Sequence, residues 1–257
     1  MKAAGYIFVM LLCLASISYY SQTDTQALDK MGLFKQITFL GKRYFVFEAD
    51  PHQYKVELFN QVQNNGQLYS FTSIAAIKGN SLVFVTNGGM YEKDFSPVGL
   101  YVSNGKTYNP VNSRQGGTGN FYQLKPNGVF MINSKGDAQV LTTENYVKNN
   151  PEPNMATQSG PMLLINGVTN SNFKEHSENI NIRNGVGINA KSNVVFAISI
   201  DQVNFYELAE LFKEKLGCEN ALYLDGFVSQ YFAPGIQKAP LPGVQLGTFI
   251  SVSKKMK

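Results

Sequence analysis

Short apolar runs recur along this chain, and each stops at a polar residue, in two cases with glycine directly after it. Ser81-Leu82-Val83-Phe84-Val85 runs into Thr86-Asn87-Gly88-Gly89, and Asn193 to Ile200 runs into Asp201. Ala221-Leu222-Tyr223-Leu224 runs into Asp225-Gly226. Apolar runs of about four to eight residues closed by turn residues are too short for most globular helices and read as buried strands. Gly at a strand end permits a sharp turn and lets another chain or a ligand approach the backbone. One stretch has a different period. In Asn204 to Gly217, Phe205, Leu208, Ala209, Phe212 and Leu216 share one helical face. Asn204 with Glu207 makes a capping box at its start, and Gly217 suits its end.

The remaining segments fill in an α+β plan. Tyr44 to Phe47 and Tyr54 to Phe59 are strand-like, Phe71 to Lys78 is a short helix, and Gln245 to Val252 is a last strand. Asn104-Gly105 between Gly99–Val102 and Lys106–Tyr108 predicts a tight hairpin. Pro126-Asn127-Gly128, flanked by Phe121–Leu124 and Val129–Ile132, predicts a second one. Asn112 to Asn120 is a polar, glycine-rich loop. The order 193–200, 204–217, 221–225 is strand, helix, strand, which places the two strands parallel and side by side. We therefore expect mixed, largely antiparallel sheets with a few helices, in a single domain with a loop-lined cleft at the strand ends. A chain of 257 residues with 44% hydrophobic content is long enough to bury such a core.

Charge and rare residues narrow the function. The net charge is +4, but the lysines are scattered and their tightest cluster is the C-terminal Lys254, Lys255 and Lys257. No basic stripe with interleaved aromatics exists, which argues against nucleic acid as a partner. Lys2 followed by the apolar stretch Ala3 to Ile17 and then Ser18, Ser21 and Gln22 has the form of a secretory signal peptide over residues 1–22. The expected mature domain is 23–257, periplasmic or secreted, with no membrane span of its own. An uncleaved anchor is the other reading of the same stretch, since no clean cleavage site is visible. Beyond Cys13 in that run, Cys218 is the one remaining cysteine, so no internal disulfide is expected. His52 and His176 are isolated, which gives no zinc-type ligand set and no partner for a thiol nucleophile. No cofactor is called for, although oxygen ligands from Asp and Asn keep a Ca²⁺ or Mg²⁺ site open.

Five strand or loop ends join glycine to a polar group or end on a carboxylate: the three above, Gln158-Ser159-Gly160-Pro161, and Arg183-Asn184-Gly185-Val186-Gly187. Each alone is a turn signal. Together they suggest a pocket lined by loops on rigid elements.

The ordered set TNGGMY, GNFY with NGVF, QSGPMLLING, RNGVGI, VVFAISID and GCENALYLDGFVSQ resembles the phosphodiester glycosidase domain family, in its bacterial exported branch. The resemblance covers about residues 45 to 253 and rests on the order and spacing of the motifs together. The family includes the animal "uncovering enzyme", an N-acetylglucosamine-1-phosphodiester α-N-acetylglucosaminidase. This chain departs from the animal members after the aspartate: they carry a glycine- and serine-rich run where it has Phe227-Val228-Ser229-Gln230. The sugar or leaving group is expected to differ accordingly.

What the resemblance implies is hydrolysis of a sugar-1-phosphodiester at the anomeric carbon; the expected partner is such a phosphodiester or an envelope glycan. Asp225 would then be the nucleophile or general base, and Asp201 its partner carboxylate. Arg183 would meet the phosphate through its guanidinium. The Asn87-Gly88-Gly89 turn would offer N–H groups to an anion. Gln158, Ser159 with Gly160, and Asn184 would bind the sugar, and Gly226 and Ser229 would join them as substrate-binding residues. Two other readings stand beside this one. The first is a non-catalytic exported module that binds sugar phosphates or glycans; the second is a phosphodiesterase that cuts P–O.

Overall fold

The computed structural model describes residues 32–114, 116–117, 119–225, 229–234, 236 and 246–255. The expected signal peptide at 1–22 and the candidate Gly226 lie outside the described residues.

Three sheets carry the fold, and every described pairing in them is antiparallel. The first has the order β1 (Phe34–Phe39), β2 (Lys42–Ala49), β13 (Val194–Ser199), β12 (Asn184–Asn189), β14 (Cys218–Asp225), β10 (Met162–Ile165), β11 (Val168–Thr169). The second runs β15 (Tyr231–Phe232), β4 (Leu82–Asn87), β16 (Thr248–Lys254), β3 (Tyr54–Asn60). The third runs β6 (Lys106–Asn109), β5 (Tyr101–Ser103), β9 (Pro153–Ser159), β7 (Gly128–Asn133), β8 (Ala138–Thr142).

Strand alternation sorts the cores. In β14, Leu222 and Leu224 enter the central core, and Ala221 and Tyr223 enter a second core with Phe205, Leu208 and Phe212. The central core joins all three sheets. Phe84 of β4 stacks on Phe47 of β2 with centroids 4.4 Å apart and lies 5.5 Å from Phe196 of β13. Phe130 of β7 meets Phe196 edge-on at 6.1 Å. Burying each such ring contributes about 1.5–3 kcal/mol relative to leaving it in water.

Helices cover the outer faces. Helix α1 (Phe71–Lys78) buries Phe71 and Ile74 against the second sheet. One turn, α2 (Asn120–Gln123), precedes β7 and buries Phe121, and helix α3 (Thr143–Asn149) flanks the third sheet. Helix α4 (Phe205–Glu210) covers the first. Its capping box is present: the Glu207 N–H donates to Asn204 Oδ1 at 2.9 Å, and the Asn204 N–H donates to Glu207 Oε2 at 2.8 Å. It does not run as one α-helix to Gly217. Residues Leu211–Lys215 form a π turn, which still buries Leu211 and Phe212. Phe212 there lies against Gly185 and Gly187 of β12, where a β-carbon would come within 3.0 Å of its ring.

Two expectations change. The Asn104-Gly105 hairpin is present, with φ of 51° and 72° at the turn. The Phe121–Ile132 hairpin is not. β7 pairs with β8 on one edge and β9 on the other, so no edge is left for 121–124, which coil into α2. Strands β13 and β14 do run in the same direction, but they are not neighbours. β12 lies between them, antiparallel to both.

Candidate functional site

The end of β14 is built on a bulge. Tyr223 pairs with Gly185 and Asp225 pairs with Asn184, so Leu224 is an extra residue in the ladder. A bulge re-aims the side chain that follows it. Regular alternation would turn Asp225 to the side of Tyr223, towards α4. The bulge pairs it with Asn184, and its carboxylate reaches β4 of the second sheet, where Asn87 Nδ2 donates to Asp225 Oδ2 at 3.1 Å. The carbonyl of the extra residue is satisfied from the third sheet, by Ser159 Oγ donating to Leu224 O at 2.9 Å. Ser229 Oγ donates to Asp225 O at 2.8 Å. Asp225 thus sits half-buried where all three sheets converge.

Two fully buried amides hold it there. Asn87 Oδ1 accepts the Gln230 N–H at 2.8 Å, so its NH₂ must be the end that faces Asp225. Asn184 Oδ1 accepts the Asp225 N–H at 2.8 Å, and Asn184 Nδ2 donates to Asn87 O at 2.8 Å. Backbone groups cannot exchange donor for acceptor, so both carboxamides have one orientation each.

Two tyrosines that the sequence reading did not single out stand around this carboxylate. Burial and the charge of Asp225 push the Tyr91 phenol up to about 12. Burial, with Asp225 adding to it and Arg183 opposing, pushes Tyr223 well above the usual phenol range. The Tyr223 hydroxyl also takes a hydrogen bond from Asn120. Tyr223 was hidden inside an apolar run. Tyr91, directly after Asn87-Gly88-Gly89-Met90, had only its position to mark it.

Arg183 is 1% exposed. Its Nε donates to Val203 O at 2.9 Å, and its Nη2 donates to Asn179 O and Oδ1 at 2.8 and 3.0 Å. Its guanidinium lies 3.7 Å from the centroid of the Phe205 ring. None of the ion pairs among the described residues includes it. Burial lowers its pKa, yet a guanidinium stays charged in proteins. Its route towards Asp225 is indirect, through a long 3.4 Å bond from Nη1 to the Tyr223 hydroxyl.

Other expected groups are placed away from the carboxylate. Asp201 is separated from Asp225 by β12 and is clamped by Arg43, with Nη2 to Oδ1 at 2.7 Å and Nε to Oδ2 at 3.0 Å. The Arg43 hydrogen bonds and charge hold its carboxyl down at about 2. Gln158 uses its whole carboxamide within the protein. Oε1 accepts from the Leu100 and Asn112 N–H groups, and Nε2 donates to Asn112 O and Thr143 Oγ1. The glycines beside the site are required by packing. A β-carbon on Gly88 would meet Ile250 at 2.4 Å, one on Gly89 would meet Thr157 Oγ1 at 2.4 Å, and one on Gly160 would meet Asn127 Oδ1 at 2.1 Å. The Gly88 N–H is already donated to Thr248 O at 3.0 Å.

Among the described residues, no three His, Cys, Asp or Glu side chains gather to hold a metal ion. No helix among them is long and apolar enough to cross a membrane. Cys218 is buried, and burial pushes its thiol up to about 12, so it is a poor nucleophile. A cleft of about 550 Å³ opens beside the site, lined by Lys125, Pro126, Asn127, Thr143, Lys148 and their neighbours.

Comparison with known proteins agrees with this architecture. The family profile for phosphodiester glycosidase matches residues 80–242. The uncharacterized protein YigE of Escherichia coli strain K12 is 35% identical over 212 residues, 81% of each chain. Among solved structures, the catalytic domain of zebrafish N-acetylglucosamine-1-phosphodiester α-N-acetylglucosaminidase, auto-inhibited by its pro-peptide, superposes with a TM-score of 0.62 at 16% identity. That match covers 86% of this chain and 82% of the zebrafish domain. A hypothetical protein from Synechocystis superposes with a TM-score of 0.58 at 12% identity, over 86% of this chain and 61% of that one. At these identities the two structures speak for the fold alone.

Proposed function

The chain belongs to the phosphodiester glycosidase family, and we propose that it hydrolyses the glycosidic C–O bond of a sugar-1-phosphodiester. The products are free sugar and a phosphomonoester. The observation that carries this reading is the Asp225 carboxylate, held at a bulged strand end by two amides of fixed orientation. Asp225 faces the anomeric carbon and stabilises or attacks the oxocarbenium-like centre. Water supplies the new C–O bond, and its protons pass to the sugar hydroxyl and to solvent or the departing phosphate. A phosphomonoester leaves without a strong acid, so the chemistry does not need Asp201 beside Asp225. The buried Arg183 contributes its charge through the Tyr223 hydroxyl, and the Asn87-Gly88-Gly89 turn and Ser229 border the sugar.

The test is release of free sugar from a panel of sugar-1-phosphodiesters by the purified protein and by Asp225→Asn. Turnover is expected to fall about 10²–10⁴-fold in the variant while its melting temperature holds. With ¹⁸O-labelled water the label is expected in the sugar; label in the phosphate would mean P–O cleavage.

A second reading is favoured by one observation, the absence of Asp201 from the side of Asp225. On that reading the chain is a non-catalytic module that binds sugar phosphates. Tight binding of the panel with no release of sugar from the wild type would select it. We also propose that the protein is exported by its N-terminal segment. Fractionation of cells carrying the full-length chain checks this, and recovery in the cytoplasm alone would refute it.

A further inference from the structure

The cleft next to the site has the chemistry of an anion subsite. Lys125 is half-buried, and burial holds its ammonium below the usual lysine range. It rests 5.3 Å from the centroid of the Phe121 ring, and the neighbouring Arg114 rests 5.7 Å from that of Tyr122. Rings fix a cation in place without cancelling its charge. Lys148, in the last turn of α3, lines the same cleft. None of these three cations is in an ion pair among the described residues. Among the described residues lining the cleft, Glu144 is the one acid against Lys125 and Lys148, so the balance there is positive. A volume of about 550 Å³ lies within the roughly 300–1,000 Å³ of small-molecule sites.

The cleft shares a wall with the Asp225 site. On the cleft side, Asn127 packs against Gly160, and the Met162 N–H donates to Pro126 O at 2.8 Å. On the other side, the Tyr223 N–H donates to Pro161 O at 3.1 Å, and Ser159 Oγ donates to Leu224 O. The segment 159–162 is therefore a single partition between the two.

We propose that this cleft receives the part of the substrate beyond the scissile phosphate, and that this part is a hydroxyl-rich chain carrying further phosphates. The identity of that chain as an aglycone rests on the glycosidase reading; the binding of a polyanion in the cleft does not. A simple alkyl aglycone would leave the two lining lysines, Lys125 and Lys148, with Glu144 alone as their counter-charge. A phosphate-bearing chain neutralises them, and its hydroxyls suit the amide and hydroxyl groups of the same walls.

The probe is a glycerol trimer linked by phosphodiesters, titrated into the full chain carrying Asp225→Asn and followed by amide NMR and calorimetry. Shifts are expected at Lys125, Asn127 and Lys148, and the affinity is expected to fall about tenfold in Lys125→Ala/Lys148→Ala and to fall with added salt. Unchanged affinity in the double variant, shifts confined to Asn87 and Asn184, or no binding would each overturn the proposal. Activity separates the two readings. A wild type that releases sugar equally well from short and phosphate-extended aglycones removes the subsite and leaves the glycosidase. A wild type with no turnover that still binds the trimer at Lys125 and Lys148 removes the glycosidase and leaves the subsite.

Discussion

Asn87 touches the Asp225 carboxylate directly. Its NH₂ donates to the carboxylate at 3.1 Å, and its orientation is fixed because its oxygen is held by the Gln230 N–H. Asn87→Asp would replace that donor with a second carboxylate at contact distance. Two carboxylates so close cannot both ionise near neutrality, so one of the pair titrates well above the ordinary range. The acid limb of the pH–rate profile is expected to move up by at least about one pH unit; an unmoved limb would show that Asn87 does not face the working carboxylate. Asp201 gives the opposite expectation. Its bidentate partner is Arg43, and its place is across β12, so Asp201→Asn should leave turnover within about twofold. Its effect belongs to stability. With a folded pKa of about 2, below the roughly 3.9 of an unstructured aspartate, its stabilisation is present above about pH 4. It is lost as pH falls through about 2. The melting difference between wild type and Asp201→Asn should be small, because the pair is exposed, and should vanish over that window.

At the scale of elements the decisive feature is the bulge in β14, because it turns Asp225 away from α4. Its cost is a carbonyl outside the ladder, and Ser159 Oγ satisfies it. Ser159→Ala would leave that buried oxygen unpaired and is expected to destabilise the fold by about 1–3 kcal/mol, read by denaturant unfolding. Turnover should fall as well, since the bulge sets the direction of Asp225; a variant with full stability would show that the carbonyl finds water instead. This element also marks how far the sequence could be read. The apolar run, the aspartate at its end, the capping box at Asn204 and Glu207, and the Asn104-Gly105 turn are local signals, and each is where the residues put it. The bulge is not a local signal. Nothing in Ala221-Leu222-Tyr223-Leu224-Asp225 says that Leu224 is an extra residue, because that depends on register against Asn184 and Gly185. The same limit hid β12 between the two strands flanking α4, and with it the separation of Asp201 from Asp225. Arg183 was legible as a charge but not as a buried one, since its partners are carbonyls and rings from 179, 203 and 205.

Over the whole molecule, the site is only as rigid as the core on which three sheets meet. Asn87 comes from the second sheet, Asn184 and Asp225 from the first, and Ser159 from the third. No single sheet contains the frame. Phe84 ties the second sheet to the first, packed on Phe47, Phe196 and Tyr231 and lying three residues before Asn87 on the same strand, and Phe196 carries the contact on to Phe130 of the third. Phe84→Ala would open a cavity among strands from two sheets and is expected to cost about 3–5 kcal/mol. Because one core serves all three sheets, unfolding of the wild type should be a single transition, followed by near-ultraviolet circular dichroism of the tyrosines, as the chain has no tryptophan. The more informative quantity is activity below the melting point of the variant. If the sheets act as one body, loosening Phe84 displaces Asn87 from Asp225, and turnover should drop while the variant is still folded. If turnover holds until the variant melts, the frame is being kept by its own hydrogen bonds, and the amides rather than the core set the geometry.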